Sequence, residues 1–183
     1  METRNLVHIA LFAALIAALG LLPKVALPIA GGVPITAQTL GVMLAGLMLG
    51  SKRGALAVIL FLGIVALGAP FLAGGRGGLG VFYSPSAGFL LGWIPGAFVT
   101  GLLFKRFKNL PVLASGVIAS LLGGVVVIYA LGIPWLASAA KLSLTQAFVG
   151  SLVFLPGDLL KAVAAAFALE AARRARPQAL LPR

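Results

Sequence analysis

The chain has 183 residues, 61% of them hydrophobic and 9% charged, with a mean hydropathy of +1.15 and a formal net charge of +11. That composition excludes a soluble globular protein, and the length suffices for one membrane domain without a second folded unit. Cysteine is absent, which excludes disulfides, thiolate metal sites and cysteine nucleophiles.

In chain order, six apolar stretches approach the roughly 20 residues that a spanning helix needs. The first, 6–22, follows Arg4 and contains Ala18-Leu19-Gly20, which imitates a signal-peptide cleavage site. The later stretches are equally apolar and need a first helix to set their topology, so an uncleaved helix is expected. His8 near its start lacks the nucleophile or fellow ligands that protease or metal chemistry requires, and is read as interfacial. Ala10, Ala14 and Ala18 recur at spacing four, a ladder of small side chains along which another helix can approach closely.

The second stretch, 35–50, has a polar entrance at Thr36, Gln38 and Thr39, and the third is 54–72. Between the third and the fourth, 88–104, Gly75-Arg76-Gly77-Gly78-Leu79-Gly80 formally matches GxGxxG. A dinucleotide site needs that string between a strand and a helix, so here it reads as a sharply turning loop. Arg76 inside it offers a planar fork to a carboxylate. Phe82 and Tyr83 after it can stack on a ligand or anchor the interface. The fifth stretch is 112–131. The sixth, 144–172, is long enough to include an interfacial turn or a strong tilt.

That sixth stretch contains Asp158 and Lys161. A carboxylate and an ammonium there each cost about 2.5–3.5 kcal/mol to insert, so the pair is a functional-site hypothesis by default. Three residues apart on a helix, they share a face and can reach each other or a common ligand. The alternative is a self-neutralising pair that only fixes helix packing.

Basic residues alternate between the two sides. Arg4, Lys52, Arg53, Lys105, Arg106, Lys108, Arg173, Arg174, Arg176 and Arg183 fall on one side, and Lys24, Arg76 and Lys141 on the other. The asymmetry predicts an all-α integral membrane protein of six transmembrane helices with both termini cytoplasmic. It also accounts for the charge without a nucleic-acid partner. The outward connections, Pro23–Pro34, Ala73–Ala87 and Gly132–Ser143, are longer and richer in Gly and Pro than the inward ones, which places the adaptable surface outside.

The carboxylates are Glu2, Asp158 and Glu170, too dispersed for an acid-protease pair or a carboxylate metal centre. No GxxxxGK[ST] occurs, so nothing cradles a nucleotide triphosphate. The expectation is no enzyme, no metal and no cofactor. Transport would draw on a gradient or on a partner subunit. Asp158 is the single buried acid available to carry protons and has Lys161 beside it, so a partner is the better source.

Three strings carry a family resemblance: Gly31-Gly32-Val33-Pro34-Ile35-Thr36-Ala37-Gln38-Thr39-Leu40, Gly74-Gly75-Arg76-Gly77-Gly78-Leu79-Gly80 and Pro156-Gly157-Asp158-Leu159-Leu160-Lys161. With them the chain resembles, over nearly its whole length, a BioY-type biotin-binding S component of an energy-coupling-factor (ECF) transporter. It departs at Ser84-Pro85-Ser86-Ala87-Gly88, where the family pattern is Gly-Pro-Thr-Gly-Gly. The resemblance implies a six-helix subunit in a prokaryotic cell membrane, docked on a transmembrane coupling protein driven by two ATP-binding cassette ATPases. It also implies that Ala10, Ala14 and Ala18 form the docking face, that the first outward loop closes over the ligand, and that the Asp158–Lys161 string is the ligand motif.

Biotin presents a ureido ring, an apolar thioether ring and a carboxylate tail. Asp158 can accept ureido N–H bonds and Lys161 can donate to an acceptor nearby. Arg76 is the candidate for the carboxylate, although exchanging the roles of Arg76 and Lys161 fits almost as well. Thr36 and Gln38 can add neutral hydrogen bonds, and Tyr83 a stacking surface. The competing reading is a self-sufficient proton-coupled transporter or channel using Asp158.

Overall fold

A computed structural model describes residues 3–23, 25–26 and 33–175. Lys24, Gly31, Gly32, Arg176 and Arg183, and with them most of the first outward loop, lie outside the described residues. Among the described residues the regular structure is helical apart from one short antiparallel pairing, Val25–Ala26 (β1) with Pro34–Ile35 (β2), and an isolated bridge between Leu72 and Arg76.

The helices are α1 (Thr3–Gly20), α2 (Gln38–Leu49), α3 (Ser51–Ala66), α4 (Ala87–Arg106), α5 (Val112–Leu121), α6 (Ile128–Ala139), α7 (Leu144–Ser151) and α8 (Leu155–Ala175). A π-helical stretch, Leu122–Val127, welds α5 to α6, and a 3-10 turn, Leu152–Phe154, welds α7 to α8. Six helical spans therefore follow one another, as the hydropathy predicts. Four of them are long and apolar enough to cross a membrane: Thr3–Gly20, Ala87–Arg106, Val112–Ala139 and Leu144–Ala175.

The boundaries move where packing outweighs local signals. The second span begins at Gln38 rather than at residue 35, because 34–35 pair with β1. The basic residues 52–53 lie in the first turn of α3, and Gly50 alone joins α2 to α3. The third span ends at Ala66 rather than at residue 72, and Gly68 follows with a φ of 112° before Pro70. The fifth span, expected to end at 131, runs to Ala139 through Pro134. Proline is tolerated in such a helix because its surroundings satisfy the freed backbone group. Trp135 beyond it packs against Gly88 of α4, and Leu136 is fully buried. The connection to the sixth span is therefore only residues 140–143. It closes with a capping box in which Ser143 Oγ accepts from Gln146 N and Gln146 Oε1 accepts from Ser143 N.

Helix α4 is the axis of the bundle, packed on α2, α3, α6 and the π segment, with 61% of its span buried against 22% for α1. Helix α2 is apolar all round and accordingly buried almost throughout. On α1 the inward face is Ile9, Ala13, Ile16 and Gly20. Ala10, Ala14 and Ala18 lie on the opposite, exposed face beside Val7 and Leu11.

Alternation of the spans collects Arg4, Lys52, Arg53, Lys105, Arg106, Lys108, Arg173 and Arg174 at one end of the bundle. There Arg53 donates to Asn5 Oδ1 at 2.7 Å and the Arg173 guanidinium lies 5.7 Å from the Phe104 ring centre. The starts of α2, α4, α6 and α8 lie toward the other end, and they build the cavity.

Candidate functional site

Span six is interrupted so that its charged pair can face inward. The 3-10 turn ends α7, Pro156 occupies the opening turn of α8, where its missing N–H costs no hydrogen bond, and Asp158 follows in that turn. A carboxylate there is favoured by the positive end of the helix dipole. The π-helical stretch does the same for span five, its wide turn bringing Gly124, Ile128 and Tyr129 to one wall of the cavity.

At the floor of the cavity, Lys161 Nζ lies 2.9 Å from Asp158 Oδ1, and their side chains are 16% and 5% exposed. Thr39 from the first turn of α2 joins the pair. Its Oγ1 donates to Asp158 Oδ1 at 3.3 Å and accepts from Lys161 Nζ at 3.0 Å. Tyr129 donates its hydroxyl to Asp158 Oδ2 at 2.7 Å. Phe89 holds the Tyr129 ring edge-on at 6.0 Å and meets Phe154 in the same manner at 6.2 Å. Three helical spans thus converge on one carboxylate.

The donor and acceptor inventory of this cluster is narrow. A carboxylate offers about four lone-pair sites and an ammonium three hydrogens. Lys161 and Thr39 take both sites of Oδ1 and Tyr129 takes one of Oδ2, while Lys161 spends two hydrogens on Asp158 and Thr39. Among the described residues one acceptor site of Asp158 and one ammonium hydrogen of Lys161 are left over in the same cluster. That pair complements a group in which an N–H adjoins a carbonyl, as in a urea or an amide.

The cavity is open at its mouth, and the empty space between its walls, counted with the solvent there, is about 600 Å³. Its walls are mainly apolar: Val33, Leu72, Phe89, Leu90, Trp93, Ile128 and Phe154. Arg76 and Ser86 supply polar groups from the loop 67–86. Arg76 donates to Ser86 Oγ at 3.2 Å and through Nε to Ala73 O at 3.5 Å, and no carboxylate among the described residues pairs with it. Partial burial disfavours its charged form and lowers its pKa from the ordinary value, yet a guanidinium remains charged near neutrality. The GxGxxG string lies in this loop with Gly75 and Gly78 at φ 70° and 80°, and its last two residues open the 3-10 turn Leu79–Tyr83, with no strand leading into a helix. The nucleotide motif is formal only.

The structure brings Asp158, Lys161, Arg76, Thr36 and Gln38 to one cavity. It does not bring Tyr83 there, since that side chain is 83% exposed and outside the lining. Gln38 lines the cavity, but both hydrogens of its amide go to backbone carbonyls, of Ile16 and Phe71, so it has no donor left for a ligand. The residues that sequence reasoning missed are Tyr129, Thr39 as a direct partner of the charged pair, and the aromatic wall of Phe89, Trp93 and Phe154. A tyrosine inside an apolar span was the available signal, because a buried phenol needs a hydrogen-bond partner.

The sequence pattern of the BioY family matches residues 1–178. The chain belongs to the BioY family. It is 57% identical to the biotin transporter BioY of Rhizobium etli, with 91% of each chain aligned. It is 52% identical to the biotin transporter BioY of Rhodobacter capsulatus, with 98% of each aligned. Its fold matches the crystal structure of an S-component for biotin from an ECF-type ABC transporter with a TM-score of 0.88 at 33% identity, over 97% of this chain and 95% of the other. This BioY-family chain is a membrane protein and not an enzyme. Its helices therefore supply a bilayer-embedded scaffold around the polar cluster.

Proposed function

We propose that the chain is the substrate-binding subunit for biotin in a multi-pass arrangement in the cell membrane, taking the vitamin from the outer side and docking on an energy-coupling module. One observation carries the reading: an apolar cavity whose floor offers one acceptor and one donor in a single cluster, with a guanidinium in the wall that no carboxylate among the described residues pairs with. The ureido N–H and carbonyl fit the pair of Asp158 and Lys161, the thioether ring fits the wall of Trp93, Phe89 and Phe154, and the carboxylate fits Arg76. The relatives of the same family are named as biotin transporters, which supports the same substrate.

The cavity opens at the end of the bundle opposite the basic cluster. With basic residues on the cytoplasmic side, both termini are cytoplasmic and the cavity faces outward. The exposed Ala10–Ala14–Ala18 face of α1 is the docking surface for a transmembrane coupling protein, itself driven by two ATP-binding cassette ATPases. Asp158 is tied by three donors, which supports a fixed acceptor over a mobile proton carrier.

The test is mass spectrometry of the ligand retained by the detergent-purified protein, followed by calorimetric titration with biotin. Retained biotin and a saturable one-to-one isotherm are expected. An isotherm with no heat, from folded protein stripped of ligand, overturns the reading.

A further inference from the structure

We infer that Gln38 is a positioning residue, which locks the loop bearing Arg76 and the end of α1 to the start of α2 and so sets how Arg76 meets the ligand. The inference rests on the biotin-binding reading above and extends it to a side chain that touches no ligand through its donors.

The Gln38 side chain is 1% exposed and joins three segments distant in sequence. Its Nε2 donates to Ile16 O in the last turns of α1 and to Phe71 O in the loop after α3, each at 3.1 Å. Its Oε1 accepts from Ala73 N, also at 3.1 Å. Two donors and an acceptor on one flexible stem are what a primary amide provides, and the buried loop backbone would otherwise be left unsatisfied.

Ala73 is the hinge point of the Arg76 turn. Leu72 and Arg76 exchange backbone hydrogen bonds at 3.0 and 3.2 Å, and Arg76 Nε returns to Ala73 O. Fixing the Ala73 N–H therefore fixes the base of the turn from which the guanidinium projects. On the other side of Gln38, the next residue is Thr39, which contacts both Asp158 and Lys161. One residue thus sets the spacing between the two charged ends of the cavity. Gly20 leaves room for the latch: a Cβ there would meet the Phe71 carbonyl and lie 2.8 Å from Gln38 Nε2.

The experiment compares calorimetric affinities for biotin and for its uncharged methyl ester in the full-length detergent-purified protein. The variants are Gln38→Met, Arg76→Ala and their combination. Arg76→Ala should lose about tenfold on biotin and little on the ester. Gln38→Met should show the same preference for the ester, with a loss of about five- to tenfold on biotin, and the combined variant should bind no worse than Arg76→Ala alone. Amide exchange at residues 73–76 should accelerate in Gln38→Met while α5 is unchanged. If Gln38→Met does not fold, Gly20→Ala, which displaces the same latch from α1, is expected to give the same pattern.

A loss from Gln38→Met that adds fully to that of Arg76→Ala, or unchanged exchange at residues 73–76, overturns the inference while leaving the biotin reading intact. If Arg76→Ala weakens biotin and ester equally, the assignment of Arg76 to the carboxylate falls, and additivity with Gln38→Met still decides whether the latch positions Arg76.

Discussion

The hydroxyl of Tyr129 donates to Oδ2 of Asp158 at 2.7 Å, joining the fifth helical span to the sixth at the floor of the cavity. Because Phe89 packs edge-on against the phenol ring, the hydroxyl is held where it fixes the orientation of the Asp158 carboxylate.

Tyr129→Phe keeps the ring packing and removes only that bond. A hydrogen bond to a charged group is worth about 1.5–3 kcal/mol, so biotin affinity should fall by at least about tenfold while the protein stays folded. Titration of the purified variant checks this. Affinity within twofold of the parent would show that the phenol does not orient the acceptor.

Asp158→Asn and Lys161→Ala should each weaken biotin binding severely. Lys161→Ala should also destabilise the fold by about 3–5 kcal/mol, because it leaves a buried carboxylate without its cation. The double variant Asp158→Leu with Lys161→Met should recover much of that stability and none of the binding. Thermal unfolding in detergent beside calorimetry separates the two effects. If the double variant binds biotin, the pair is not the ligand motif.

Ala14→Trp places an indole in the middle of an exposed ladder that contacts nothing in the inward packing of α1. Co-purification with the coupling protein should be lost and biotin affinity should remain within twofold. A complex that survives this bulk would move the docking surface elsewhere.

Biotin should protect the first outward loop. A ligand held by Asp158 and Lys161 gains from exclusion of water, and Thr36 and Val33 already line the cavity at the end of that loop. Hydrogen exchange across residues 31–39 should slow on adding biotin. Equal exchange in both states would mean that this loop is not the cover.

Asp158 and Lys161 were legible in the sequence for an energetic reason. A charge in an apolar span is costly wherever the span ends up, so its presence alone signals a purpose. The six spans were legible because bilayer thickness sets a length and a hydropathy that need no tertiary information. Tyr129 was not legible as a partner of Asp158, since nothing in residues 112–131 specifies which face a π-helical turn will rotate toward span six. Gln38 was visible as a polar residue at the entrance to span two. Its commitment to the backbone of Ile16, Phe71 and Ala73 depends on three segments meeting, which no local pattern encodes. Tyr83 shows the converse, because adjacency to a glycine-rich loop suggested a stacking role and the 3-10 turn carries the ring outward instead.

Composition and periodicity by themselves determined the class, the number of spans and the charged pair, because each follows from transfer of side chains into an apolar medium, a property of residues one at a time. The tertiary structure decided which donors close around Asp158, where the helices end and which polar groups remain free for a ligand. Those are set by contacts between spans, where a one-residue π-helical shift or a single amide bridging three segments redirects the chemistry without changing the hydropathy of the chain.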